Sequence, residues 1–388
     1  LRNFSGTYDE VADMGSLYHY TSVQSFESII KNQCIRMTRS DFMNDPHDCR
    51  AFYGIVKKYI ETKTFHLDVE HYLGNVKSFS NRYPEDVEAL IKKYPLADYL
   101  QYVYDHIPLY VFSLTDARDS LPMWNYYGNN GICLGFDQDS LLHAMAGNLC
   151  QKAYDFLAYT KIDYIDLEEN LNTLPLDSLS DIRLFASANN EGTPYSTYLH
   201  ENRKDGKVDL ESFVDSYIES YVVTVNYLLR SPKAAGKAFE EYYKISSDND
   251  FYRTIFIRNR ELITNSSLKF KADIDLFMLI LSARYKPRTF ENESETRIVF
   301  FHYDVDQRAE EQFSTVSYDF GAFIKPFTEC RFGSGSDALL SGEIQSVILS
   351  PATKRIPVSV PVYKQVLCSF LKKDSAFDIC VSKHDIRW

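Results

Sequence analysis

Strand-like patterns stand at both ends of this chain with a long helical stretch between them, and this layout narrows the fold more than any other feature. Near the start, Leu17-Tyr18-His19-Tyr20 is a short aromatic run suited to a strand. Thr21-x-x-Gln24 follows as a capping box. It opens a helix with Val23, Phe26 and Ile30 on one face and Asn32 as a left-handed stop. Ile35 and Met37 alternate with Arg36 and Thr38 as a second strand. Asn44-Asp45-Pro46 makes a turn, and Phe52, Ile55, Val56, Tyr59 and Ile60 line an amphipathic helix. Val87, Leu90 and Ile91 mark a further helix, and Leu109 to Leu114 reads as a buried strand. Ser120-Leu121-Pro122 starts a helix carrying Trp124 and Tyr127 and stopping at Gly128. Asn129-Asn130-Gly131 then turns the chain into a strand over Ile132 to Phe136.

Between 138 and 285 the pattern changes to long amphipathic runs such as Phe213, Tyr217 and Tyr221 or Ile274 to Leu281, with polar connectors around Ala186 to Ser196. Strand patterns return at Thr296 to Tyr303, Ile344 to Leu349 and Asp378 to Ser382. The expectation is an α+β fold whose sheet is split between residues 1–137 and 286–388, with 138–285 as a mostly helical insertion or lobe.

Composition excludes several classes. With 45% hydrophobic and 25% charged residues over 388 positions, the chain can bury a sizeable core and is not a disordered segment. Its 42 basic against 54 acidic side chains leave a net charge of −12, which tells against coating nucleic acid by charge alone but leaves room for a local basic patch. Arg284, Lys286 and Arg288 form one candidate rim. The seven cysteines are scattered with no Cys-x-x-Cys pair, as expected of reduced buried thiols rather than a zinc site or a disulfide framework. No segment approaches the roughly 20 apolar residues of a membrane span. The opening LRNFSGTYDE lacks the basic-then-apolar layout of a signal peptide, so a cytoplasmic location is expected. Tyr outnumbers Phe, 29 to 26, which fits flat ligands stacked on ring faces and equally a wet, aromatic-packed core.

The sharpest local signal is Glu293-Ser294-Glu295-Thr296-Arg297 at the entry to an apolar strand. Side chains two apart on a strand share a face, so Glu293, Glu295 and Arg297 are expected to project together. Two carboxylates on one face repel, which makes one a candidate for a shifted pKa or for stabilising positive charge on a ligand. The same spacing also fits an exposed strand edge where Arg297 simply neutralises Glu295. His19 between two tyrosines, Met123-Trp124-x-x-Tyr127, and Phe42-Met43-Asn44-Asp45-Pro46 each admit a packing or turn explanation when taken alone. Phosphate loops, dinucleotide fingerprints, zinc-protease and nucleophile-elbow motifs find no match.

Taken in order, these boxes resemble the bacterial family catalogued as domain of unknown function 2971. Its members carry a Tyr-x-Tyr strand, Phe-Asn-Asp-Pro, Ser-Leu leading to Met-Trp-x-x-Tyr, Gly-x-Cys-x-Gly-Phe, and a late Glu-x-Glu-x-Arg. The counterparts here are Tyr18-His19-Tyr20-Thr21-Ser22, Phe42-Met43-Asn44-Asp45-Pro46, Ser113-Leu114, Met123 to Tyr127, Gly131 to Phe136, and Glu293 to Arg297. Val347 to Pro351 and the closing Ser382 to Arg387 also look alike, while Met43 is an insertion between Phe42 and Asn44.

That layout is in turn similar to the ADP-ribosyltransferase fold of the His-Tyr-Glu type. The resemblance implies an NAD-dependent mono-ADP-ribosyltransferase, an intracellular bacterial effector of phage defence or toxin systems, with NAD as co-substrate, no metal and a nucleic-acid or protein acceptor. His19 would bind the ribose, Tyr127 would stack on nicotinamide, Glu295 would stabilise the transition state and Glu293 would position the acceptor. Tyr20, Thr21, Trp124, Asn44 and Arg297 would border the NAD pocket, Arg297 orienting the glutamates or contacting a phosphate and Tyr18 with Tyr20 walling His19. An NAD glycohydrolase using water as acceptor keeps the same chemistry. Two other classes stay open: a non-catalytic module that binds a nucleotide or nucleic acid, and a metal-dependent nuclease built from Asp273, Asp275 and Glu295 with Lys286.

Overall fold

Alternating apolar side chains make the strands, and runs with helical periodicity make the layers that cover them. A computed structural model of the chain describes residues 15–43, 45, 48–74, 83–128, 131–152, 154–174, 182–186, 189–194, 203–204, 207–234, 236–264, 269–305, 317–320, 324–332, 340–355, 359–371 and 378–384. In chain order the strands are β1 (Ser16–Thr21), β2 (Cys34–Arg39), β3 (Tyr110–Thr115), β4 (Ile132–Asp137), β5 (Asp155–Lys161), β6 (Asp163–Ile165), β7 (Arg183–Ala186) and β8 (Asn189–Pro194). They continue with β9 (Arg203–Lys204), β10 (Lys207–Val208), β11 (Tyr285–Pro287), β12 (Glu295–His302), β13 (Ser317–Phe320), β14 (Ile324–Arg331), β15 (Ile344–Leu349) and β16 (Asp378–Val381). The protein is of mixed α+β class.

Contacts divide the chain into two units. The smaller comprises Leu1–Cys34, Leu114–Ala144 and Arg331–Trp388, the larger Ile35–Ser113 and Met145–Cys330. This differs from the division expected from hydropathy patterns. The 138–285 stretch falls almost wholly in the larger unit with 35–113, and it supplies strands as well as helices. Ala186 to Ser196, expected to be connectors, holds β8, and β7 ends at Ala186.

In the smaller unit the strand order is β16-β15-β4-β1. β1 lies antiparallel to β4 from Ser16 opposite Asp137 to Thr21 opposite Ile132, β15 is antiparallel to β4, and β16 is parallel to β15. The pairing is intimate at Gly131, where a Cβ would sit 2.0 Å from the Thr21 carbonyl oxygen. The first helix spans Val23–Asn32 and buries Phe26 and Ile30. Its caps fall one residue beyond those expected: Ser22 accepts from the Ser25 amide, and Gln33 takes the left-handed turn with φ 48°.

In the larger unit the order is β3-β12-β5-β7-β8, with β2 beside β3 and β14, and β13 beside β14. β12 and β5 pair antiparallel along their whole length, from Thr296 opposite Lys161 to His302 opposite Asp155. Helices Ala51–Thr64, Val69–Gly74, Pro84–Lys93, Leu96–His106, Leu210–Ala234, Asp248–Thr264 and Lys269–Arg284 belong to this unit. Phe52, Val56, Leu100, Val222, Phe256, Met278, Leu281, Val299 and Phe301 lie in one shared apolar core. Each such side chain contributes about 1.5–3 kcal/mol when fully buried.

Many tyrosines go into this core too: Tyr94 stacks on Phe251 at 3.9 Å, and Tyr99, Tyr217 and Tyr221 are buried around it. The stacking surplus read from composition is therefore mostly packing. Five of the seven cysteines are buried and none forms a disulfide. No helix among the described residues is long and apolar enough to cross a membrane.

Candidate functional site

Two glutamates meet at the start of β12, though not by sharing a strand face. Residues Arg288–Glu293 form a 3-10 helix, Ser294 turns left-handed at φ 43°, and the strand begins only at Glu295. The turn breaks the pleat, which corrects the expected common face of Glu293 and Glu295. What joins them is Lys286 on β11, whose Nζ donates to Glu293 Oε2 at 2.7 Å and to Glu295 Oε2 at 2.8 Å. β11 runs parallel to β6 with Lys286 opposite Tyr164, and the Glu295 amide donates to the Tyr164 hydroxyl at 2.8 Å.

Arg297 and Glu295 do share a face. Arg297 Nε donates to Glu295 Oε1 at 2.8 Å and Nη2 to Oε2 at 3.0 Å, a bidentate fork. On its other side the guanidinium holds Asp48, with Nη1 2.6 Å from Oδ1 and Nη2 donating to Oδ2 at 2.8 Å. Nη1 also donates to the Ala283 carbonyl at 3.1 Å and lies 3.5 Å from Cys49 Sγ. A guanidinium has five N–H groups, and these contacts occupy all five. Arg297 is fully buried, so it orients Glu295 and has no donor left for a phosphate.

Electrostatics follow from this geometry. Burial alone would raise the Glu295 carboxyl, but the Arg297 guanidinium and the Lys286 ammonium outweigh it and hold its pKa at about 2. Burial would likewise lower Lys286, yet Glu295 first among its partners keeps it above the ordinary lysine value. Burial and then Asp48 push the Cys49 thiol well up, so it is no thiolate nucleophile.

The candidate basic rim dissolves on inspection. Arg284 is fully buried, its Nε donating to Asp163 at 2.6 Å and its Nη1 to Thr160 at 3.2 Å, and Lys286 is buried among the glutamates. Only Arg288 is exposed, and it pairs with Asp166 and Glu169. Cations expected at the surface sit inside because buried carboxylates are there to receive them.

The other candidate residues lie in the smaller unit. His19 is half-buried on β1, opposite Leu134. Tyr18 and Tyr20 point to the other strand face, into a cluster with Met123, Trp124, Cys133 and Ile348, so the two tyrosines pack the core instead of walling the histidine. The Tyr20 hydroxyl donates to the Ala117 carbonyl at 2.9 Å and accepts from the Ser120 amide at 2.8 Å. Trp124 is fully buried, edge-on to Tyr20 at 4.8 Å, with its indole N–H on Asp119 at 2.7 Å. Thr21 is buried too, and among the candidate aromatic residues Tyr127 is the accessible one, 40% exposed just past the end of the helix Leu121–Tyr126. Asn44 lies outside the described residues.

The sequence reading did not single out Asp48, and it placed Lys286 in a surface rim or a nuclease centre rather than between the two glutamates. The signal for Lys286 was its place between Tyr285 and Pro287 directly after an apolar helix, and for Asp48 a carboxylate just beyond the Asn-Asp-Pro turn. Of the residues named for a nuclease centre, the side chain of Asp273 lies outside the described residues. Both Glu295 oxygens are taken by cations, and the Asp275 carboxylate accepts from Tyr99 at 2.7 Å and Asn259 at 3.2 Å. Among the described residues no group of three or more His, Cys, Asp or Glu is arranged to hold a metal ion. Comparison of the chain with family models, with curated proteins and with solved structures finds no match.

Proposed function

We propose that this protein is an NAD-dependent mono-ADP-ribosyltransferase of the His-Tyr-Glu type, a member of the family catalogued as domain of unknown function 2971, in which Glu295 is the catalytic carboxylate. The observation that carries the reading is a buried Glu295 carboxyl held in place by the Arg297 fork and by Lys286. Cleavage of the nicotinamide–ribose bond sends the electron pair to the nicotinamide nitrogen and leaves an oxocarbenium-like cation on the ribose. A preorganised carboxylate stabilises such charge by about 3–4 kcal/mol.

In this reading Glu293 positions the acceptor nucleophile, His19 holds the ribose, and Tyr127 stacks on nicotinamide for about 1 kcal/mol. The acceptor is a macromolecule, nucleic acid or protein, and the protein works in the bacterial cytoplasm as a phage-defence or toxin effector. A second reading, a binding module without turnover, is favoured by the engagement of both Glu295 oxygens with cations. Labelled NAD separates the two. The transferase releases nicotinamide and Glu295→Gln abolishes the release, whereas the module binds NAD and releases none.

A further inference from the structure

The helix that ends just before Tyr127 is too short to hold itself. Leu121–Tyr126 has six residues and its N-cap, Ser120, makes no side-chain capping bond. A helix of that length depends on tertiary contacts. One contact is Trp124, buried at its centre, and Trp124 is tied to Asp119.

Asp119 is in turn gripped by the far end of the chain. Its Oδ1 accepts from the Ser382 hydroxyl at 2.7 Å, and its Oδ2 accepts from the Lys383 amide at 2.8 Å. The Asp119 carbonyl lies 2.7 Å from His384 Nε2; a carbonyl only accepts, so that nitrogen carries the proton. The His384 amide donates back to the Ser382 hydroxyl at 3.2 Å, and Ser382 is fully buried, with its amide on the Leu349 carbonyl of β15 at 2.9 Å. The segment is thus anchored to the sheet before it reaches Asp119.

We infer that Ser382, Lys383 and His384 form a clamp that acts through Asp119 and Trp124 to position Tyr127 for a planar ligand, a role that rests on the transferase reading above. Asp119 and His384 are positioning residues, since neither is assigned a contact with the reacting atoms. Residues 382–384 are then a working part of the ligand site, 255 positions and more away from Tyr127 in sequence.

The test uses the full chain with Trp388→Phe, which leaves Trp124 as the only tryptophan. In that background Ser382→Ala with His384→Ala is compared with Asp119→Asn, which keeps an acceptor oxygen for the indole. The clamp predicts that the double variant shifts Trp124 emission to the red and makes it more accessible to acrylamide, while Asp119→Asn shows less of both. It also predicts that the KM for NAD in nicotinamide release rises about fivefold or more with kcat within about twofold. Unchanged emission and quenching in the double variant overturn the clamp. Changed emission with an unchanged KM overturns its role in placing Tyr127. If the parent chain releases no nicotinamide at all, the transferase reading falls and NAD binding by the same variants decides the positioning role: equal affinity refutes it, weakened affinity supports it, and no binding by the parent chain refutes it as well.

Discussion

Glu295 and Arg297 are joined by two parallel hydrogen bonds at 2.8 and 3.0 Å, with the guanidinium pinned from behind by Asp48. Breaking a buried pair from one side leaves an unpaired charge in a dry site and costs about 3–5 kcal/mol. Arg297→Met is therefore expected to lose stability on that scale in urea unfolding, because it strands Asp48 and Glu295 together. Arg297→Lys keeps the charge but loses the fork, and is expected to fall between the two. Wild-type stability in Arg297→Met would show that the network contributes nothing.

How much of this was legible beforehand varies by element. β1, β4 and β15 are plain in the apolar and aromatic runs Leu17 to Tyr20, Ile132 to Phe136 and Ile344 to Leu349, and so is the helix at Ser120-Leu121-Pro122. β5 and β7 were missed because they sit inside a stretch dominated by long amphipathic helices, where short buried strands carry no periodicity of their own. The charge network was legible only at one end. Glu295 and Arg297 announce themselves two residues apart, but Asp48 reaches Arg297 across 249 positions, and nothing local distinguishes a cation that will be buried from one that will be solvated. Lys286 and Arg284 were misjudged as a rim for that reason.

Gly131 offers a packing test in the smaller unit. Alanine there would place its Cβ 2.0 Å from the Thr21 oxygen and 3.1 Å from the Ser22 Cα, both main-chain atoms that can move only by parting β1 from β4. Gly131→Ala is expected to cost about 1–3 kcal/mol. Gly147→Ala, in a helix with nothing within 4 Å of the new methyl, is expected to be neutral or to stabilise by about 0.5–1 kcal/mol. Equal melting temperatures for the two variants would contradict the close approach.

Asp275 predicts a pH dependence. Burial raises its carboxyl above the ordinary aspartate value, against opposing hydrogen bonds from Tyr99, Tyr217 and Asn259. The folded chain therefore holds this proton more tightly than the unfolded chain. That stabilisation is fully present below about pH 4 and is lost as pH rises through the folded-state pKa. Asp275→Asn removes the dependence, so the variant should gain stability relative to the parent as pH rises from 4 to 7. A constant difference across that range would refute the assignment.

Trp124 and Tyr127 separate packing from binding. Trp124→Ala empties a fully buried site and is expected to cost about 3–5 kcal/mol. Tyr127→Ala removes an exposed ring, so its effect on stability should stay within about 0.5 kcal/mol. Its Kd for NAD should nonetheless rise about fivefold, the value of one aromatic stack. Tight NAD binding by Tyr127→Ala, measured by calorimetry, would remove that ring from the ligand site.

The most direct measurement is nicotinamide release from labelled NAD by the parent chain and by Glu295→Gln, with unfolding curves recorded for both. Gln keeps the shape of the side chain and a carbonyl oxygen for the Arg297 guanidinium, but not the charge. Release by the parent is expected, with a loss of about 100-fold or more in kcat for a Glu295→Gln variant that still folds cooperatively. Release at the parental rate by a folded Glu295→Gln, or no release by the parent, would contradict the proposed function.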